Sequence, residues 1–161
     1  MLLFVESMVA CILFTVLIMP PLYKNPLNQI ASYPPAIKER VKSLPQYKDL
    51  FEQEHQKHVL RKILAAIISV FSLALIAYFS NARSFSSAFY HTFMIFFVVN
   101  IYDLIVLDII IFCHSKKSII KGTEDMVDEY RKINHHVRGA VIGTILGTIM
   151  ALSSVLIVVK C

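Results

Sequence analysis

Apolar positions in this chain fall into four long runs, separated by two polar connections and one short link. The runs cover about 1–19, 63–80, 86–113 and 138–159, and the polar connections are 20–62 and 114–137. A helix needs about 20 residues at 1.5 Å each to cross a bilayer, and every run approaches or exceeds that length. The pattern predicts an all-α fold: a polytopic membrane protein built as a four-transmembrane-helix bundle, one integral-membrane domain with helical extensions of the second and fourth spans. No charge interrupts Ile63 to Phe79 or Gly139 to Val159. The first run holds only Glu6, Ser7 and Thr15 as polar residues and is closed by Pro20-Pro21, while the third contains His91, Asn100, Asp103 and Asp108. A cleaved signal peptide needs a basic start and a small-residue cleavage site. No Lys or Arg precedes the first run, so a retained span is expected.

The connections carry their own patterns. Asn25-Pro26 and Tyr33-Pro34-Pro35 are turn signals. Ile37, Val41 and Leu44 then recur at helical spacing opposite Lys38, Glu39 and Lys42, the pattern of a basic amphipathic helix lying on anionic headgroups. Pro45 suits the first turn of a helix that runs through Leu50, Phe51 and Arg61-Lys62 into the second span. In the second connection a helix is expected from Gly122-Thr123, with Thr123 as its cap and Glu124 and Asp125 in its first turn. Asp128 and Lys132 would form an i,i+4 pair, and the helix would flow without a break into the fourth span.

Composition sharpens this picture. Hydrophobic residues make up 57% of the chain, charged residues only 17%, and mean hydropathy is +0.64. Soluble domains carry about 25% charge, so a soluble fold is excluded, and so much apolar content excludes disorder. The net charge of +5 comes without tryptophan or a basic–aromatic array, which speaks against nucleic acid as a partner. Its distribution reads instead as topology. The two connections, with Arg138 at the edge of the fourth run, hold all the basic residues except Arg83 in the short link and Lys160. The positive-inside rule then places both connections in the cytoplasm and both termini outside, in a multi-pass protein of the cell membrane. The expected partners are the lipid bilayer and either further copies of the chain or a larger membrane protein.

Chemistry concentrates in the third run. Asp103 lies eleven residues from His114 at the run's border, about 16 Å deep in an α-helix and close to the bilayer midplane. A carboxyl group there costs roughly 2.5–3.5 kcal/mol, so it normally meets a polar partner or water. On an α-helix Asn100 and His114 share its face, whereas Asp108 sits about 140° away and about 9 Å from the border. These positions make Asn100, Asp103 and Asp108 the candidate ion-responsive residues, with His114, His135 and His136 as candidates at the interface. Glu6 is expected to reach outward to water, and His91, among Phe89, Tyr90 and Phe93, to belong to an aromatic belt.

Gly139, Gly143, Gly147 and Ala151 recur every four residues, a small-residue stripe that lets membrane helices pack closely. Histidines His55, His58, His135 and His136, with Glu54, Asp108, His114, Glu124 and Asp128, could gather on one side of the membrane. No HExxH or CxxC spacing accompanies them, so neither metal nor another cofactor is expected. Cys11, Cys113 and Cys161 are scattered, as structural cysteines are. Three functions fit this pattern. The first is an ion- or proton-responsive carrier or channel, or a subunit of one, centred on Asp103. The second is a non-catalytic accessory subunit bound to a larger partner. The third is an interfacial enzyme acting on a lipid headgroup through Asp108, His114 and His135. No nucleophile elbow, phosphate loop or paired cysteines support catalysis.

Overall fold

Every regular element among the described residues is helical. The structure, a computed structural model, describes residues 1–160 apart from the side chain of His55. Two residues singled out above, His55 and Cys161, therefore lie outside the described residues. Helix α1 spans Leu2–Lys24, α2 Pro35–Ser43, α3 Lys48–Phe79, α4 Phe85–Tyr102, the short α5 Val127–Tyr130, and α6 Ile133–Val158. A π-helical segment, Asp103–Ile111, continues α4. Four helical stretches are long and apolar enough to cross a membrane: Leu2–Lys24, Pro45–Phe79, Phe85–His114 and Ile133–Val158. In the most apolar window of each, no more than 28% of the residues are buried inside the protein. Apolar surface on that scale is intolerable in water, and the chain reads as a multi-pass membrane protein.

Helix α4 sits at the centre, against α1, α3 and α6. Its contact with α6 is very close, because α6 presents glycine where α4 is bulky. A Cβ on Gly147 would fall 2.1 Å from Phe96 Cδ1, and one on Gly143 2.5 Å from Asn100 Oδ1. Gly139 has nothing within 4 Å. Small residues also close the far end, where Ala74, Ala77, Ala82 and Ala88 pack with Val155 and Val158. There Ser154 Oγ donates to the Val70 carbonyl of α3 at 3.0 Å. The link from α3 to α4 turns through Asn81, whose φ of 59° an asparagine tolerates, and Ser84 caps α4 by accepting from Ser87 N.

Several boundaries differ from those the sequence predicts. Helix α1 passes through Pro20-Pro21 to Lys24 instead of stopping at Met19. Proline's fixed φ is helical, and the two rings forfeit only the bonds to the Val16 and Leu17 carbonyls. The helix expected from Gly122 into the fourth span is broken. Glu124–Met126 forms a single 3-10 turn, α5 is four residues long, and Lys132 is extended before α6 begins. Thr123 makes no side-chain cap. Its hydroxyl instead donates to the Ile120 carbonyl at 2.7 Å and meets the Tyr130 hydroxyl at 2.6 Å. Lys132 pairs with Glu129, not with Asp128.

These hydrogen bonds belong to a second core, in which the two polar connections fold against each other. Leu22, Leu27, Ile30, Tyr33, Ile37, Val41, Phe112, Cys113, Ile120 and Tyr130 form it. Tyr33 meets Phe112 and Tyr130 edge-on, with ring centroids 4.9 and 5.8 Å away, and donates to the Ser118 carbonyl at 2.8 Å. The apolar face of α2, Ile37 and Val41, is fully buried here. That apolar face is therefore covered by the protein's own core and not by lipid. Burial holds the Tyr33 and Tyr130 phenols above the ordinary tyrosine range. The stability they contribute is complete below about pH 10 and is lost as pH rises through their folded values.

The three glycines of α6 give a graded prediction. Gly147→Ala should destabilise the protein by about 1–3 kcal/mol, because Phe96 must move, and Gly143→Ala should displace the Asn100 amide at similar cost. Gly139→Ala should be neutral or stabilise by up to about 1 kcal/mol through helix propensity. Thermal unfolding in detergent, followed by circular dichroism, reads all three. Equal effects at the three positions would contradict the packing.

Candidate functional site

The π-helical segment redraws the face on which the sequence candidates lie. A π ladder bonds residue i to i+5, so Asp103 and Asp108, five apart, stack one turn above the other instead of about 140° apart as in an α-helix. The segment then tightens into a 3-10 turn, Phe112–His114. This carries His114 off the shared face, and its Nδ1 sits 2.9 Å from the Ile109 carbonyl of its own helix. His114 is thereby removed from the group expected around Asp103. Nine residues of π-helix are unusual, since such winding is normally confined to single bulges and concentrates at functional sites.

Opposite this segment stands the first part of α6. The break at Arg131–Lys132 lets Tyr130 point into the second core while His136, six residues on, turns toward the π-helix. His136 Nδ1 lies 3.1 Å from Asp108 Oδ2. The imidazole is 4% exposed, whereas the Asp108 side chain is 33% exposed. Phe112 packs edge-on against the ring, 5.4 Å between centroids. The other nitrogen, Nε2, is buried with no hydrogen-bond partner among the described residues. A buried imidazole nitrogen without a partner is costly, and here it is held open by a ring that Asp108 and Phe112 fix in place.

Further along the same seam, Asn100 Nδ2 donates to the Ala140 carbonyl at 2.9 Å and to Thr144 Oγ1 at 3.0 Å. Its amide is thus committed to α6, in the space that Gly143 leaves. Asp103 lies between these two contacts. Its carboxyl group is half-buried and makes no hydrogen bond among the described residues. Asp108 and His136 are close enough to act on it electrostatically. Asn100, Asp103, Asp108 and His136 thus form one polar seam along the interface of the third run with α6.

The remaining candidates are placed elsewhere. His135 Nε2 lies 3.0 Å from the Ser32 carbonyl, tying α6 to the first connection. Glu54 pairs with Lys57 and Arg61, and Glu124 accepts from Gly122 N at 2.8 Å. Among the described residues no three His, Cys, Asp or Glu side chains come together as a metal set. Cys11 and Cys113 are buried free thiols.

A second cluster escaped the sequence reading. Glu6 Oε2 lies 2.6 Å from His91 Nε2, and Ser80 Oγ donates to Glu6 Oε1 at 2.5 Å. Glu6 and His91 are 17% and 15% exposed, so neither reaches out to water or stands in an aromatic belt. The signal was available. Each is the lone acidic or basic residue within the first two turns of its span, and α1 and α4 run in the same direction. Some two and a half to three turns below, Thr15 Oγ1 meets Tyr102 Oη at 2.8 Å.

Removing one member of a shielded pair strands the other. Glu6→Gln and His91→Ala should each cost about 1–3 kcal/mol, and the double variant little more than either single change. Unfolding midpoints in detergent for the four-member cycle measure this coupling. Strictly additive losses would show that the pair is not energetically joined.

No protein-family model, curated protein or solved structure matches this chain, so the function is argued from the seam itself.

Proposed function

We propose that this chain is an ion- or proton-responsive carrier or channel, or a subunit of one, working through Asp103, Asp108 and His136. In this reading the four apolar helices form a transmembrane bundle in the cell membrane, one integral-membrane domain. The basic connections face the cytoplasm and both termini face outward, as the distribution of Lys and Arg favours. The observation that carries the proposal is the contact of Asp108 with a buried histidine whose second nitrogen is open. His136 turns Nδ1 toward Asp108 Oδ2, 3.1 Å away, and leaves Nε2 without a partner among the described residues. A proton arriving at Nε2 makes an imidazolium. Its Nδ1 proton then passes to Asp108, leaving neutral histidine protonated on Nε2 and a neutral carboxylic acid. Asp103, one π turn deeper, is the next group able to take charge. Each transfer changes the charge inside an interface of low dielectric, and so shifts how the π-helix and α6 pack.

An accessory role drew on the glycine stripe of α6. Its two inner positions, Gly143 and Gly147, are filled by Asn100 and Phe96 of the same chain, so that role rests on the polar surface of the two connections.

The purified protein, reconstituted in vesicles, should carry a proton- or cation-coupled flux. Asp103→Asn, Asp108→Asn and His136→Gln should each lower it about 100-fold or more while retaining parental helicity. Absence of flux in the parent, or parental flux in Asp103→Asn, overturns the proposal.

A further inference from the structure

A pocket of about 230 Å³ lies between α2 and α3, lined by Ala31, Lys38, Glu39, Lys42 and Phe51. Lys38 and Lys42 are one helical turn apart on the polar side of α2. Neither makes an ion pair among the described residues, and neither does Lys62, the next cation on α3. Lys38 Nζ donates to the Ala31 carbonyl at 2.8 Å. That bond fixes the ammonium at the pocket wall and leaves two N–H donors. Burial, and then the like charge of Lys62, pull this ammonium below the ordinary lysine range. An anion between the two lysines would relieve both effects. Glu39 is exposed at the pocket edge and offsets one of the positive charges.

The level of the pocket identifies the anion. Arg61 of α3 donates to the Asn28 carbonyl, one 3-10 turn before Ala31, and Lys62 lies within electrostatic reach of the Lys38 ammonium. At Ile63 the helix α3 becomes apolar. The pocket therefore lies on the polar, basic stretch that precedes the membrane-length part of α3, where cationic side chains meet anionic lipid phosphates. The volume is below the roughly 300 Å³ at which drug-sized ligand sites begin, and suits a headgroup.

We propose that this pocket binds the phosphate of an anionic phospholipid, with Lys38 and Lys42 as its cationic ligands and Phe51 as its apolar wall. This role is independent of the Asp108–His136 seam and leaves α2 held in the second core by Ile37 and Val41. The full-length protein in detergent, titrated with monomeric dihexanoyl phosphatidylglycerol and followed by native mass spectrometry, should bind it saturably. Dihexanoyl phosphatidylcholine and inorganic phosphate should bind at least tenfold more weakly. Replacing Lys38 and Lys42 together by glutamine should weaken the phosphatidylglycerol about fivefold per lysine. Glu39→Gln, which leaves both cations in place, should tighten it severalfold and serves if the double variant fails to fold. Equal binding of the zwitterionic lipid, or no change in either variant, overturns the site. Inorganic phosphate binding as tightly as the lipid overturns its assignment to a lipid headgroup.

Discussion

The close approach of α6 to the third run, made possible by missing Cβ atoms at Gly143 and Gly147, governs the geometry of the polar seam between them. Phe96 enters the space at Gly147 and Asn100 the space at Gly143. Membrane helices gain little from burying apolar surface against each other, because lipid is equally apolar. Backbone proximity and interhelical hydrogen bonds must do that work. Here the Asn100 amide bonds the Ala140 carbonyl and Thr144, and Ser154 ties α6 to α3. With α6 fixed at this distance, its first turns are near enough for His136 to reach Asp108.

The π-helical winding supplies the complementary half of that meeting. An α-helix would divide Asp103 and Asp108 between two faces, leaving one carboxyl group to the lipid. The wider turn stacks them toward α6, so two acids and an imidazole share one electrostatic neighbourhood. The winding and the glycine contact therefore act together, one gathering the acids and the other bringing the base.

What the sequence conveyed follows from which properties are local. Length and hydropathy are local, and the four membrane-length helices were readable from them, as was the continuous passage from Lys57 through Ile63 in α3. Helix ends were harder. Pro20-Pro21 reads as a stop in water, yet proline costs only two amide bonds in α1. The break at Arg131–Lys132 has no glycine or proline to announce it and arises because Tyr130 is drawn into the second core. The apolar stripe of α2 was visible, but the surface that would cover it lay some eighty residues away in Phe112 and Tyr130. The π-helix had no local signature, so any face drawn with α-helical spacing beyond Asp103 was bound to misplace Asp108 and His114.

Two carboxylate–imidazole pairs occupy this fold, and their hydrogen bonding separates them. At Glu6 both carboxylate oxygens are engaged, one by Ser80 and the other by His91. That carboxylate is gripped from both oxygens and joins α1 to α3 and α4. At Asp108 the carboxyl group is one-third exposed, and the histidine facing it keeps a buried nitrogen without a partner. An unsatisfied polar atom in a low-dielectric interface costs stability that a purely structural contact would not retain. One carboxylate is thus gripped from two helices, and the other is left partly exposed beside an imidazole with an unpaired buried nitrogen. That difference, more than the presence of acids in an apolar run, directs the functional reading to the π-helix and α6.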